Sequence, residues 1–141
     1  IGFAALDSKA AIPLLKKAEA AKIPVIAFDS GVDSDIPLTT CTTDNLAAAG
    51  LAADKMAELI GDAGDIAVVV HDQTSRTGID RRDGFLKQMK EKHPNIKKVA
   101  VLAPNDESGK DSNGAIVASA KQLGFELVAD DHYPRETKDF Y

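Results

Sequence analysis

Apolar residues along this chain fall in short unbroken runs, and amphipathic stretches separate them. The clearest unit is Gly64 to Phe85: an unbroken run at Ile66 to Val70, then a polar loop of capping residues, then the first turn of a helix. A β-branched run of that length bounded by turn residues predicts a strand covered on both faces, the condition of a parallel sheet inside an α/β layer sandwich. The following loop then lies at the carboxyl end of a central strand. In open α/β sheets that is where helix amino termini converge and ligands are held.

The rest of the chain repeats this unit. Ile1 to Ala5 reads as a short strand, and Asp7 and Ser8 are the next residues able to cap a helix. That helix carries Ala11, Leu14, Leu15, Ala18 and Ala21 on one stripe, with Pro13 tolerable only in its first turn. Ile23 to Asp29 is a second buried strand ending in an acid; Ile36 to Thr42 is a third, edge-like strand with Pro37 at its beginning. Asp44 or Asn45 caps a helix over Leu46 to Ile60 with a stripe of Ala49, Ala53, Met56 and Ile60, closed by the turn at 61–64. After the strand at 66–70, a helix runs from about Ile79 to His93. Lys97 to Pro104 is a fifth strand, a helix through Ile116, Ala120 and Leu123 stops at Gly124, and Glu126 to Pro134 is a sixth. Strands alternating with helices imply right-handed βαβ units. The expected fold is α/β, three-layered and doubly wound, with a mainly parallel sheet of five or six strands in flavodoxin-like or half-receptor topology. At 141 residues and 44% apolar content, a single α/β domain over 1–141 is expected.

Charge narrows the partners. A net charge of −5, with lysines interspersed among acids, argues against a nucleic-acid partner, which needs clustered Lys and Arg. The single cysteine, Cys41, lies in an apolar, threonine-rich segment and reads as a small buried thiol. No apolar run approaches the roughly 20 residues of a membrane helix, and no signal segment opens the chain. His71, His93 and His132 are scattered without metal spacing, so no metal is expected.

Three features occur together: Ile23 to Asp29 with its terminal acid, Thr42 to Asn45 (TTDN), and Gly78 to Phe85 (GIDRRDGF). On these residues the chain, over about 1–96, resembles the sugar-type periplasmic binding proteins of ABC importers, the ribose-binding class. From Lys97 onward it is similar to the branched-chain amino-acid type of the same superfamily, with a seam near Asn95 to Lys98. The resemblance implies non-catalytic capture of a small polar solute, most simply a sugar, for the membrane subunits of an ABC importer, and a periplasmic location. Such receptors are about twice this size, so a fragment or a recombined, engineered chimera with weak or no binding is expected. Unfinished sheet edges further lead to an expected homodimer or strand exchange.

Within the resemblance, Asp29 matches a strand-end aspartate that receives sugar hydroxyls, since carboxylates and guanidiniums pair bidentately with hydroxyls. Arg81 or Arg82 lies near a ligand-facing arginine, the register between them open. Ala4 stands about where the family often has an asparagine. Each residue has a plainer role open to it: Asp29 a loop acid, Arg81, Arg82 and Asp83 a solvated helix face. A competing class is a flavodoxin-like module holding a phosphate or flavin at the loop 73–78, where Ser75 to Gly78 (S-x-T-G) supplies hydroxyls and amides. Against it, Asp80 would face the dianion, and Tyr133 and Tyr141 are the only tyrosines in a chain without tryptophan. The cofactor expected is therefore none. Ser108-Gly109-Lys110 echoes the end of a Walker A loop, but Pro104 replaces the first glycine and Asp111 the Ser/Thr, so that reading fails. No Ser/His/Asp set follows an elbow motif, and Asp29, Asp72 and Asp106 at strand ends would mimic a phospho-acceptor pocket only by coincidence. No catalysis is expected.

Overall fold

A computed structural model of the chain describes residues 1–70, 74–96, 98–104, 114, 117–118 and 120–133. Its elements follow the order β1 (Gly2–Phe3), α1 (Ile12–Ala20), β2 (Ile26–Phe28), β3 (Thr40–Cys41), α2 (Asn45–Leu59), β4 (Asp65–Val69), α3 (Arg76–Lys92), β5 (Lys98–Pro104) and β6 (Glu126–Tyr133). His71, Asp72, Gln73, Lys97, Asp106, Ser108 to Lys110, Asp111, Ile116, Pro134 and Tyr141 lie outside the described residues.

The α/β class, the strand number and the parallel sense are as the hydrophobic pattern predicts. The six strands, however, are shared between two three-stranded sheets, β1-β2-β3 and β4-β5-β6, each in sequence order. In the first, Phe3 stands opposite Ala27, and Phe28 opposite Cys41. In the second, Asp65 to Val69 pair with Lys98 to Leu102, and β5 continues onto β6 through an irregularity between Val99 and Ala100. The central strand of this sheet is β5, and β4 is at its edge, a correction to the expected central position of the run at 66–70.

Each helix has a local reason to begin. Asp44 accepts a hydrogen bond from the Ala47 amide at 3.0 Å and caps α2. Ser75 does the same for α3, accepting from the Gly78 amide at 3.2 Å. Ahead of α1 no side chain caps Ala11; the Asp7 carboxylate instead accepts from the amides of Lys9 and Ala10, and those bonds, Ala10's first, hold its carboxyl below the ordinary aspartate value. Past α2, Gly61 and Asp62 take left-handed conformations (φ 72° and 55°), and the Asp62 amide donates to Ala57 O at 2.8 Å, which turns the chain back toward β4.

Two cores result. The larger gathers Ala53 and Ala57 of α2, Ile66 and Val70, Leu86 and Met89 of α3, Ile96, Ala120 and Phe125. The smaller joins Leu15 and Ala18 of α1 to Val25. On β4, Ile66, Val68 and Val70 pack inward, while Val69 is 63% exposed. The run therefore has one covered face rather than two. On β2 the same alternation leaves Ile26 and Phe28 half-exposed and Ala27 buried.

Two helix stripes differ from expectation. Leu14 is exposed on α1 while Leu15 and Ala18 are buried. On α2 the buried set is Asn45, Ala49, Gly50, Ala53 and Ala57, with Met56 and Ile60 partly outside. The rotation follows from α3, which packs extensively on α2 and selects the face of small residues. Cys41 is exposed, not buried, because β3 is a two-residue edge strand that neither face of the described structure covers.

Candidate functional site

The carboxyl ends of β2 and β3 and the first turns of α2 and α3 converge on a polar cavity of about 420 Å³. Asp29 enters it from the end of β2. It is held in a left-handed conformation (φ 58°), its amide donating to Cys41 O at 2.9 Å and its carbonyl accepting from the Thr42 hydroxyl. These backbone bonds place the residue, so its carboxylate is left without a partner among the described residues and faces the cavity.

The opposite wall is Arg76, Thr77 and Asp80 of α3. Arg76 meets Asp33 at 3.4 Å and, one turn along α3, Asp80 at 3.3 Å. Asp33 is further bonded by the Ser8 hydroxyl at 3.2 Å, so Ser8, expected as a helix cap, holds an acid instead. Asp29, Asp33, Asp35 and Asp80 against Arg76, with the hydroxyls of Thr40, Thr42 and Thr77, make a strongly acceptor-rich lining with one fixed guanidinium. Such a lining suits a neutral solute that offers several hydroxyl donors and suits an anion poorly.

The sequence-predicted residues are not all brought together. Asp29 lines this cavity; Arg81, Arg82 and Ser75 do not. Arg81 reaches it only indirectly, its Nε donating to Asn45 Oδ1 at 2.8 Å; Asn45, nearly buried, lines the cavity floor and also donates to Thr43 O. Asn45 is thus a positioning group rather than a cap. Arg82 turns its Nε to Asp83 at 2.6 Å, and with Arg81 borders a separate, mostly apolar groove of about 490 Å³ between α2, β4 and α3. Ser75 is buried and committed to the Gly78 amide, so the hydroxyl and amide that a phosphate loop would offer are spent on capping α3. The residue missed from sequence is Arg76. Its position in the first turn of a capped helix, four residues before Asp80, was the available signal, because an i,i+4 pair there lies on the face that looks over the strand ends.

Among the described residues no group of three or more His, Cys, Asp or Glu side chains is arranged to hold a metal ion, and no helix is long and apolar enough to cross a membrane.

Comparison with the curated proteins returned no match. Among solved structures, a carbohydrate transporter solute-binding protein from Agrobacterium radiobacter, in complex with D-arabinose, aligns at 22% identity and a TM-score of 0.60 over 92% of this chain and 54% of that one. An ABC transporter solute-binding protein from Agrobacterium vitis bound with α-D-tagatopyranose aligns at 26% identity and a TM-score of 0.63, over 92% and 55%. A second protein from Agrobacterium vitis, with bound D-fucose, gives 25% identity and a TM-score of 0.58, over 92% and 55%. The chain therefore spans about half the length of the structures it matches. A family described as the periplasmic binding protein domain matches residues 1–124, a single range that runs through the seam expected at 95–98 and gives no evidence of a second, branched-chain segment there. With that match covering most of its length, the chain belongs to the periplasmic binding protein domain family.

Proposed function

We propose that the chain is part of a non-catalytic solute receptor that captures a small sugar at the Asp29 cavity and serves an ABC importer in the periplasm. The observation that carries this reading is Asp29, whose backbone is held by two hydrogen bonds and whose carboxylate has no partner among the described residues, in the lining of an acceptor-rich cavity. The family membership and the sugars in the titles of related structures support it. Asp29 accepts from sugar hydroxyls, Arg76 donates from the far wall while bridging Asp33 and Asp80, and Asn45 sets the floor. Among the described residues no aromatic ring lines the cavity, and the reading takes affinity to be weak in this form. The open edge of β4 also supports pairing with a second copy.

Calorimetric titration with pentoses, hexoses and polyols tests the reading. Weak saturable heat for one class, abolished in Asp29→Ala, is expected. Heat unchanged by that substitution, or none from a cooperatively folded sample, overturns it. Light scattering on the same sample checks the pairing: a one-chain mass at all concentrations rules it out.

A further inference from the structure

His93 lies at the end of α3 and belongs to no part of the cavity. Its Nδ1 is 2.6 Å from Asp62 Oδ1 and its Nε2 is 2.9 Å from Asp54 Oδ1. The two carboxylates come from different places: Asp54 from the middle of α2, Asp62 from the left-handed turn that follows it. Gln88, one turn back on α3, donates to both oxygens of Asp54 at 2.9 and 3.1 Å and fixes its orientation. The imidazole itself is largely covered, its side chain 17% exposed, while the acids are about half exposed.

We propose that His93 is a pH-dependent clasp that fastens the carboxyl end of α3 to α2 and to the turn before β4, closed in mild acid and released in base. The geometry requires this proton dependence. A carboxylate only accepts, so both contacts are hydrogen bonds only when the ring carries two N–H groups; a neutral ring sets one bare nitrogen against a carboxylate oxygen. The groups acting on the ring are Asp54 first, through its hydrogen bond, then Asp62, and together they outweigh the burial that opposes the charge. Lys92, beside His93 in the chain, also lowers Asp54. Lys55 and Glu58, further along α2, are paired with each other at 2.8 Å. The carboxyl end of α3 adds its own preference for a cation.

The clasp occupies a junction. The His93 amide donates to Met89 O, its carbonyl accepts from the Ile96 amide, and Ile96 is buried in the larger core just before β5. At the other end of the same helix pair, Arg81 Nε donates to Asn45 Oδ1 at 2.8 Å and joins α2 to α3 without a histidine.

The direction of the effect follows from the shifts. His93 binds its proton more tightly in the folded chain, so its contribution is complete below the ordinary histidine value of about 6.5 and is lost as pH rises through the raised folded value. Asp54 is held below its ordinary value, chiefly by His93, so its contribution is lost only as pH falls through that lowered value.

Proton NMR titration of the three histidines in the whole chain, with His93→Gln for assignment, is the test. His93 is expected to titrate above its ordinary value, and Asp62→Asn to move the midpoint down; asparagine tolerates the left-handed turn, so the variant keeps its fold. Thermal midpoints of the wild type should exceed those of Asp62→Asn near pH 5.5 and converge with them near pH 9. A His93 midpoint at or below the ordinary value, or a difference in thermal midpoint that does not vary with pH, overturns the proposal.

Discussion

Gly84 on α3 lies where a β-carbon would run into the backbone of Leu46 at the start of α2. The two helices cross at a point only glycine allows, and relief would have to come from moving a backbone rather than a side chain. Gly84→Ala is expected to destabilise the chain by about 1–3 kcal/mol, read as a lowered urea midpoint. An unchanged midpoint would mean the helices cross elsewhere. Asp29 makes the complementary case. Its left-handed φ costs a residue with a β-carbon, so Asp29→Gly should leave the thermal midpoint no lower while removing the sugar heat. Its place at the end of an apolar run was legible from the residues, and its candidacy as a ligand group came from the family resemblance. Its conformation was not legible, because hydrogen bonds to Cys41 and Thr42, on another strand, impose it.

At the scale of elements, local chemistry and tertiary contact divide the work. The beginning of α2 is written in Asp44 and its end in the turn at 61–64, and the observed helix matches the expected one to within a residue at each end. Asp44→Ala should cost about 1 kcal/mol, measured by chemical denaturation with the slope unchanged; no loss would mean the cap is redundant. The face that α2 buries is another matter. Periodicity alone favoured Met56 and Ile60, whereas α3, approaching through Gly84, buries Gly50 and Ala57. Along α3 itself, Leu86 and Met89 are almost fully buried. Leu86→Ala should cost about 2–5 kcal/mol, the range for a large core side chain replaced by a methyl. A smaller loss would show that the larger core collapses around the gap.

For the whole molecule, the two cores are unequal. Among the described residues the larger has nine buried members and the smaller three, and the sheet over the smaller one leaves Ile26 and Phe28 half-exposed. Local opening costs least where few apolar contacts close a region. Hydrogen exchange should therefore be faster for the amides of β2 than for Leu86 to Met89 of α3. Equal protection across both would show that they open as one unit. The cavity lies where the two parts meet: Asp29 and Asp33 come from one side and Arg76 and Asp80 from the other, with the Ser8 amide donating to Thr74 O at 3.0 Å beside them.

What the sequence determined alone is the series of elements, the cap at Asp44 and the strand-end acid at Asp29, because each depends on residues within one turn or one strand; the cap at Ser75, three residues ahead of the expected start of α3, came from the structure. The division of six strands into two sheets, the turning of Arg81 and Arg82 away from Asp29, the recruitment of Arg76 and the closure of His93 between two acids were decided only by tertiary structure. These depend on which helix face meets which neighbour across tens of residues of chain. That choice is made by packing and backbone clearance, as at Gly84, and no local pattern records it.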